Sequence, residues 1–400
     1  MMDRVDVERA RSEVERLMDL GFDARREGQY AATARLIEQA VAIAESLGEL
    51  PLLVYTRAWL ASAYTDEGHR ESAMPLYFWL IGIATAPALQ GQVSDYRSQW
   101  TLATSFIGLL SCGSLMEMPV ADLLRVVADG TAWVEAIGKP EWAAAFRLQR
   151  GRLLRKQGDL EAARREMETA LALRRRHKDP PGPSLENHLL NLGLLLNDPA
   201  VGEYAEAIPL AEEILDTQEG GVHSRHSAYL LLARAYLGLG DLDRALGQAQ
   251  MVVAIAQTME SPSAKTSAYG ALSRVYQAAG QLTDAAESTA QMYVWAIAHS
   301  CADCTHSALT EAAKTRLLQA RQAASLPLKG DDFPATLPPD ADRALASRWL
   351  AGAHRFIRRA RVPAARLDAA AGTRKEQDAL DKLALEGDEL GALLGSGGAG

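Results

Sequence analysis

The stretch Ser227–Ala245 reads SAYLLLARAYLGLGDLDRA. Tyr229, Leu232 and Tyr236 follow one another at spacings of three and four, which places them on one face of a helix. Gly240 then supplies a residue that enters the left-handed conformation at which helices end. Asp241 follows as an N-cap for a second helix, since its carboxylate accepts from an amide of the next turn. Ala245 leaves room where two helices cross closely. The segment is therefore a helix, a tight reversal and a second helix.

The same reversal recurs along the chain. It is GQYAAT at Gly28–Thr33, GHRESA at Gly68–Ala73 and GDLEAA at Gly158–Ala163. It returns as GEYAEA at Gly202–Ala207, GDLDRA at Gly240–Ala245 and GQLTDA at Gly280–Ala285. The glycines step by 40, 90, 44, 38 and 40 residues. The interval of 90 holds two units, one degenerate near Gln92–Ile137, so the spacing predicts seven helix pairs between about residues 12 and 299. Seven residues beyond each small position stands an apolar one: Ala40, Leu80, Ala170, Ile214, Val252 and Met292. A lone helix pair cannot bury such a face, so neighbours must stack.

These residues resemble the tetratricopeptide repeat, whose first helix carries a large residue, then Leu-Gly, then Tyr. Tyr229, Leu232, Ala233 and Tyr236 match one unit and Tyr269, Leu272, Ser273 and Tyr276 the next. Leu192-Gly193 and Leu20-Gly21 match two others. Steps near 40 exceed the 34 residues of the family's basic unit and resemble the long repeats of bacterial signalling regulators that sense peptides or partner proteins. The resemblance implies an all-α, right-handed superhelical solenoid of stacked antiparallel helix pairs, with C-terminal capping and tail helices. It also implies that the first helix of each pair lines a concave groove, where the residue after the small Gly/Ala position points inward. Those residues are Phe22, Ser62, Arg152, Leu194, Arg234 and Arg274; one turn along lie Arg25, Thr65, Arg155, Asn197, Leu237 and Gln277. Arg152, Arg155, Arg234 and Arg274 are thereby candidates for holding carboxylates of a peptide, because the planar guanidinium donates two parallel hydrogen bonds. Asn191 and Asn197 add amides suited to a peptide backbone. The alternative for each Arg is an ion pair with a neighbouring helix.

The rest of the chain bounds this reading. Among 400 residues, 42 Lys and Arg face 51 Asp and Glu, a net charge of −9, which speaks against a nucleic-acid binder. The N-terminus is charged from Asp3 and lacks a signal-like apolar stretch, three cysteines make no disulfide framework, and no apolar run spans a bilayer. Cytoplasmic location and no transmembrane segment are the expectation. The organisation expected is a repeat domain at 1–324 ending in a cap helix near Thr305–Ala324, a Pro-rich linker at 325–340 and a helical tail at 341–400. The tail holds an Arg-rich helix, Ala341–Arg361, and an acidic one near Arg374–Leu394, whose opposite charges suit pairing with each other; the alternative is a basic amphipathic helix that touches a membrane or a partner.

One cluster has metal-ligand composition: His299, Cys301, Cys304 and His306 within HSCADCTH. Four such groups suit zinc, and C-x-x-C at a helix start also suits a redox dithiol. The same residues equally close a helix turn beside two surface histidines, which leaves the chain without a cofactor. There is no G-x-S-x-G, H-E-x-x-H or P-loop. The expectation is a binding scaffold for a protein or peptide partner rather than an enzyme. The alternatives are a peptide-sensing regulator with output through the C-terminal helices, and an enzyme centred on His299–His306.

Overall fold

In a computed structural model, the described residues are 4–27, 29–177, 181–217, 221–298, 302–328, 341–364 and 371–395. Among them the regular structure is helical throughout. The first pairs are α1 (Arg4–Arg26) with α2 (Tyr30–Leu47) and α3 (Leu50–Glu67) with α4 (Arg70–Thr85). Then come α5 (Tyr96–Leu115) with α6 (Val120–Ala136) and α7 (Ala143–Gln157) with α8 (Leu160–Arg176). They are followed by α9 (Leu185–Leu196) with α10 (Tyr204–Asp216), α11 (Val222–Leu239) with α12 (Leu242–Thr258), and α13 (Pro262–Ala278) with α14 (Leu282–Ala298). These are the seven expected pairs. Beyond them lie α15 (Ala302–Ala323), α16 (Arg343–Ala364) and α17 (Ala371–Gly395).

The reversal is built as the sequence predicts. Gly68, Gly158, Gly240 and Gly280 all have positive φ. The amide just past each donates to the carbonyl five residues earlier: His69 to Tyr64 at 2.8 Å, Asp159 to Leu154 at 3.0 Å, Asp241 to Tyr236 at 3.0 Å and Gln281 to Tyr276 at 2.9 Å. Asp159 and Asp241 then cap the second helix through Ala162 N–H and Arg244 N–H, both at 3.1 Å. The small positions Thr33, Ala73, Ala163, Ala207, Ala245 and Ala285 are all buried, as are the apolar positions seven residues on.

The degenerate unit is α5 and α6. Its first helix closes with the same bond, Met118 N–H to Gly113 O at 2.9 Å, but the left-handed position holds Glu117, at φ 57°. A 3₁₀ segment, Pro87–Val93, precedes α5 and lengthens the approach. The glycine signal fails here because a residue with a side chain does its work at a conformational cost.

The chain divides into two compact units, residues 1–188 and 189–400. The first has an aromatic core: Phe106 stacks with Trp133 at 5.8 Å between centroids and meets Phe146 edge-on at 5.7 Å. Five of the seven tryptophans lie in this unit. The second packs on alanine instead, with Ala211, Ala228, Ala233, Ala235, Ala245, Ala249 and Ala268 buried, which lets its helices approach closely. In this unit α16 packs along α15, and α17 lies against both. Leu317, Ala320, Leu350 and Leu390 form their shared core. Arg321 bridges α15 to Glu386 of α17 at 2.7 Å, and Arg361 of α16 pairs with Asp381 of α17 at 3.1 Å. The expected Pro-rich linker falls, from residue 329 to 340, outside the described residues.

A left-handed conformation costs a non-glycine residue about 1 kcal/mol. Glu117 is exposed, so Glu117→Gly should raise stability by about 1 kcal/mol, read as a higher urea midpoint at unchanged slope. An unchanged midpoint would show that Glu117 adopts this backbone without strain.

Candidate functional site

Within the first unit, α3 packs on α5 and α5 on α7, forming the row of first helices. Between α3 and α5 opens a cavity of about 270 Å³, reached also by Arg25 of α1 and Tyr77 of α4. Trp59 and Trp100 are among its walls, with Ser62, Thr101, Thr104, Ser105 and Ser111 as its polar lining. The floor is set by sterics. A Cβ on Gly108 would lie 2.6 Å from the Tyr77 ring, so only glycine lets that ring enter. Tyr77 donates to Thr65 Oγ1 at 3.3 Å, since Thr65 gives its own proton to Ala61 O at 2.8 Å. Burial pushes the Tyr77 hydroxyl up to about 12, so it stays protonated.

The hydroxyls of α5 turn back on their own helix. Thr104 and Ser105 donate to Thr101 O at 2.9 and 2.8 Å, which leaves their oxygen lone pairs to accept from an incoming donor. The one cation at the cavity is already matched. Arg25 pairs with Asp66 at 2.8 Å, donates to Ser62 Oγ at 3.2 Å and lies 5.4 Å from the centre of the Trp59 ring, which Phe22 meets edge-on at 4.6 Å. Burial pushes the Asp66 carboxyl up and Arg25 only partly draws it back. The lining holds neither histidine nor cysteine, and no acid–base pair is poised to activate a hydroxyl. What the lining offers is two indole side chains and a set of hydroxyls.

The sequence-derived candidates fare differently from one another. Arg152 on α7 is exposed, and its printed partner is a neutral one, Gln149 Oε1 at 3.3 Å. No carboxylate pairs with it among the described residues, and although the side chain reaches solvent, desolvation by the surrounding helices lowers its pKa from the ordinary guanidinium value. Arg155, on the same helix, is half-buried. In the second unit Asn191 on α9 and Arg234 on α11 are also half-buried. Arg274 on α13 is held by Glu311 of α15 at 2.7 Å, and Gln277 joins the same carboxylate at 3.2 Å and Thr315 at 3.0 Å. Asn197, read as an amide for a peptide, is instead buried and donates to Leu231 O at 2.9 Å; the correction arises because α9 ends against α11. Trp59, Trp100 and the α5 hydroxyls were not singled out, although the crowding of tryptophan before residue 143 is visible in the sequence.

Of the Cys/His cluster, His299 and Cys301 lie outside the described residues. Cys304 is half-buried and packs against the cluster of Met292, Ala296 and Ala308. His306 is buried, with Nδ1 at 3.1 Å from Ala360 O. Among the described residues no three His, Cys, Asp or Glu groups gather as metal ligands. No single helix among them is long and apolar enough to cross a membrane.

Residues 144–177, spanning α7 and α8, match the family model of the tetratricopeptide repeat. Among solved structures, the apo form of RapI is similar at 10% identity, covering 96% of this chain and 99% of that one, with a TM-score of 0.53. A Rap protein complexed with competence and sporulation factor is similar at 13% identity, with coverages of 95% and 99% and a TM-score of 0.49. A tetratricopeptide repeat protein from Parabacteroides merdae is similar at 14% identity, with coverages of 74% and 99% and a TM-score of 0.47. No curated protein matches the sequence. The fold is a helical-repeat one, built of consecutive antiparallel helix pairs. Residues 144–177 thus match one tetratricopeptide repeat, and the fold is similar to that of RapI.

The Arg274–Glu311 pair yields a pH test. Burial pushes the Glu311 carboxyl up, but the charges of Arg274 and Lys314 and the hydrogen bonds from Arg274 and Gln277 outweigh it, and its pKa falls below 4.5. A lowered carboxyl pKa contributes stability that is present above the unfolded value and lost as pH falls through the folded one. Arg274→Met leaves the carboxylate buried without its main counter-charge. The variant should lose about 2 kcal/mol at pH 7, toward the low side for a buried pair because Arg274 is 38% exposed. The deficit should shrink as pH falls from 7 through the variant's raised carboxyl pKa towards the parent's lowered one. Urea titrations showing the same deficit at pH 7 and pH 4 would count against this balance.

Proposed function

We propose that this protein is a non-catalytic peptide-binding scaffold whose recognition pocket is the α3–α5 cavity of its first unit. The observation that carries this is that Trp59 and Trp100 line a cavity of about 270 Å³ together with Thr104 and Ser105, whose hydroxyls donate to Thr101 O and keep acceptor capacity. That volume fits one large apolar side chain of a partner segment rather than a whole drug-sized molecule, for which pockets start at roughly 300 Å³. Backbone amides of the segment would donate to Thr104 and Ser105. Arg152, one helix further along the row, is placed for an acidic group of the same segment, because its guanidinium is balanced by no carboxylate of the described residues.

A second reading, a peptide-sensing regulator with output through the C-terminal helices, is favoured by the firm packing of α16 and α17 on α15. Glu386→Lys sets two cations against each other at Arg321 and loosens this tail without touching the first unit. A sensor would lose its output and keep its ligand, whereas a plain scaffold would keep both.

Peptides selected from a random display library should bind the purified full chain with micromolar Kd and change its tryptophan fluorescence. Trp100→Ala should weaken binding at least tenfold and Arg152→Glu should weaken acidic peptides selectively, with circular dichroism unchanged. Selected peptides that bind both variants as tightly as the parent would sink the pocket assignment.

A further inference from the structure

A different cavity, of about 270 Å³, lies wholly within the second unit between α14, α15 and α16. Its walls are apolar: Ala286, Ala290, Val294, Leu309, Ala312 and Phe356. Two threonines also reach it, but both are spent on helix carbonyls. Thr289 donates to Ala285 O at 2.7 Å and Thr315 to Glu311 O at 2.9 Å. Val294 is 55% exposed, and Ile297, one turn further along α14, is 51% exposed, which continues the apolar surface past the mouth.

Two guanidinium groups complete the lining. Arg359 donates to Tyr293 Oη at 2.6 Å, and Arg316 donates to Gln319 Oε1 at 2.8 Å while lying 4.5 Å from the centre of the Trp349 ring. Each therefore rests on a neutral acceptor and an aromatic or polar neighbour, and neither has a carboxylate partner among the described residues. Three acids of these helices are engaged elsewhere: Glu311 with Arg274, Glu386 with Arg321 and Asp381 with Arg361. Like charge is also concentrated here, since α16 carries Arg343, Arg348, Arg355, Arg358, Arg359 and Arg361. An acidic protein thus keeps two uncompensated cations beside an apolar hollow. A guanidinium has five N–H donors, so each retains several for an anion.

We propose that this cavity binds a medium-chain carboxylate: an acyl chain of about eight carbons in the apolar hollow, with its carboxylate received by Arg316 and Arg359. The size limits the ligand to a single short chain, and the exposed Val294 and Ile297 let a slightly longer tail run out along α14. Burial first, and the charge of Arg355 second, disfavour the charged form of Arg316, and a bound carboxylate offsets both. The proposal is independent of the α3–α5 pocket, which belongs to the other unit and takes a neutral side chain.

The test is calorimetric titration of the full chain with sodium octanoate at low ionic strength. A saturable isotherm with one site and a sub-millimolar Kd is expected. Octyl glucoside, which has the same chain without the charge, should bind at least tenfold more weakly. Arg359→Gln, an exposed position, should weaken octanoate about tenfold. Ala290→Trp, also exposed, should fill the hollow and abolish binding with unchanged circular dichroism. The proposal is overturned by a flat isotherm up to millimolar octanoate, or by equal affinity for the uncharged amphiphile. It is likewise overturned if Ala290→Trp binds as the parent does. N-acetyl-leucine binding more tightly than octanoate would reassign the site to peptide C-termini and overturn the acyl assignment.

Discussion

The constraint on which the rest of this structure depends is the reversal at the end of each first helix. A single residue in the left-handed region lets the next amide reach back five residues, as Asp241 does to Tyr236, and thereby satisfies a carbonyl the helix would otherwise leave bare. The second helix begins at once, and its direction is set by that one φ angle. Antiparallel pairing follows, and with it the need for a small side chain at the crossing, where Ala163, Ala207, Ala245 and Ala285 are fully buried. The next pair must then cover the outer apolar face. Local backbone chemistry, repeated, generates the stack.

This is why the fold was legible in the sequence. Left-handed backbone selects glycine, an N-cap selects Asp, and close crossing selects Ala, so three physical demands leave three letters at fixed spacing. Where one letter is missing the reading weakens, although the physics persists: Glu117 takes the glycine position and Met118 makes the same bond. A unit without its glycine was inferred only from the arithmetic of its neighbours. The helices of the tail were equally readable, because their apolar periods and opposite charges are local features, and Arg361 with Asp381 joins them as charge alone would suggest.

The inner surface was legible only as far as register goes. Period predicts which side chains share a face, and Arg25, Ser62 and Arg152 do stand on the row of first helices in the first unit. Period does not tell whether such a side chain already has a partner, since partners come from the next repeat. Arg274 meets Glu311 across 37 residues, Gln277 meets Thr315 across 38, His226 meets Ala264 O across 38 and Asn197 meets Leu231 O across 34. These bonds tie consecutive first helices together in the second unit. The α3–α5 cavity escaped notice for a related reason. Its tryptophans and hydroxyls come partly from the degenerate unit, where no repeat signal drew attention to α5.

The α3–α5 cavity and the Arg274 network differ in what an incoming peptide would meet. In the second unit, Arg274, Gln277, Glu311, Thr315 and Ser273 form a connected polar network, and Ser273 lies 2.8 Å from Thr289 Oγ1. A peptide entering there would have to break charge-assisted bonds before making its own, and one broken partner strands a buried carboxylate. In the α3–α5 cavity the hydroxyl protons return to carbonyls of their own helix, so an incoming amide adds a bond without removing one. Trp59 and Trp100 offer apolar area with few rotatable bonds to freeze, which lowers the ordering cost of contact. The network thus serves to hold helices in place, while Thr104 and Ser105 of the aromatic cavity keep acceptor capacity, on which the proposed peptide site rests.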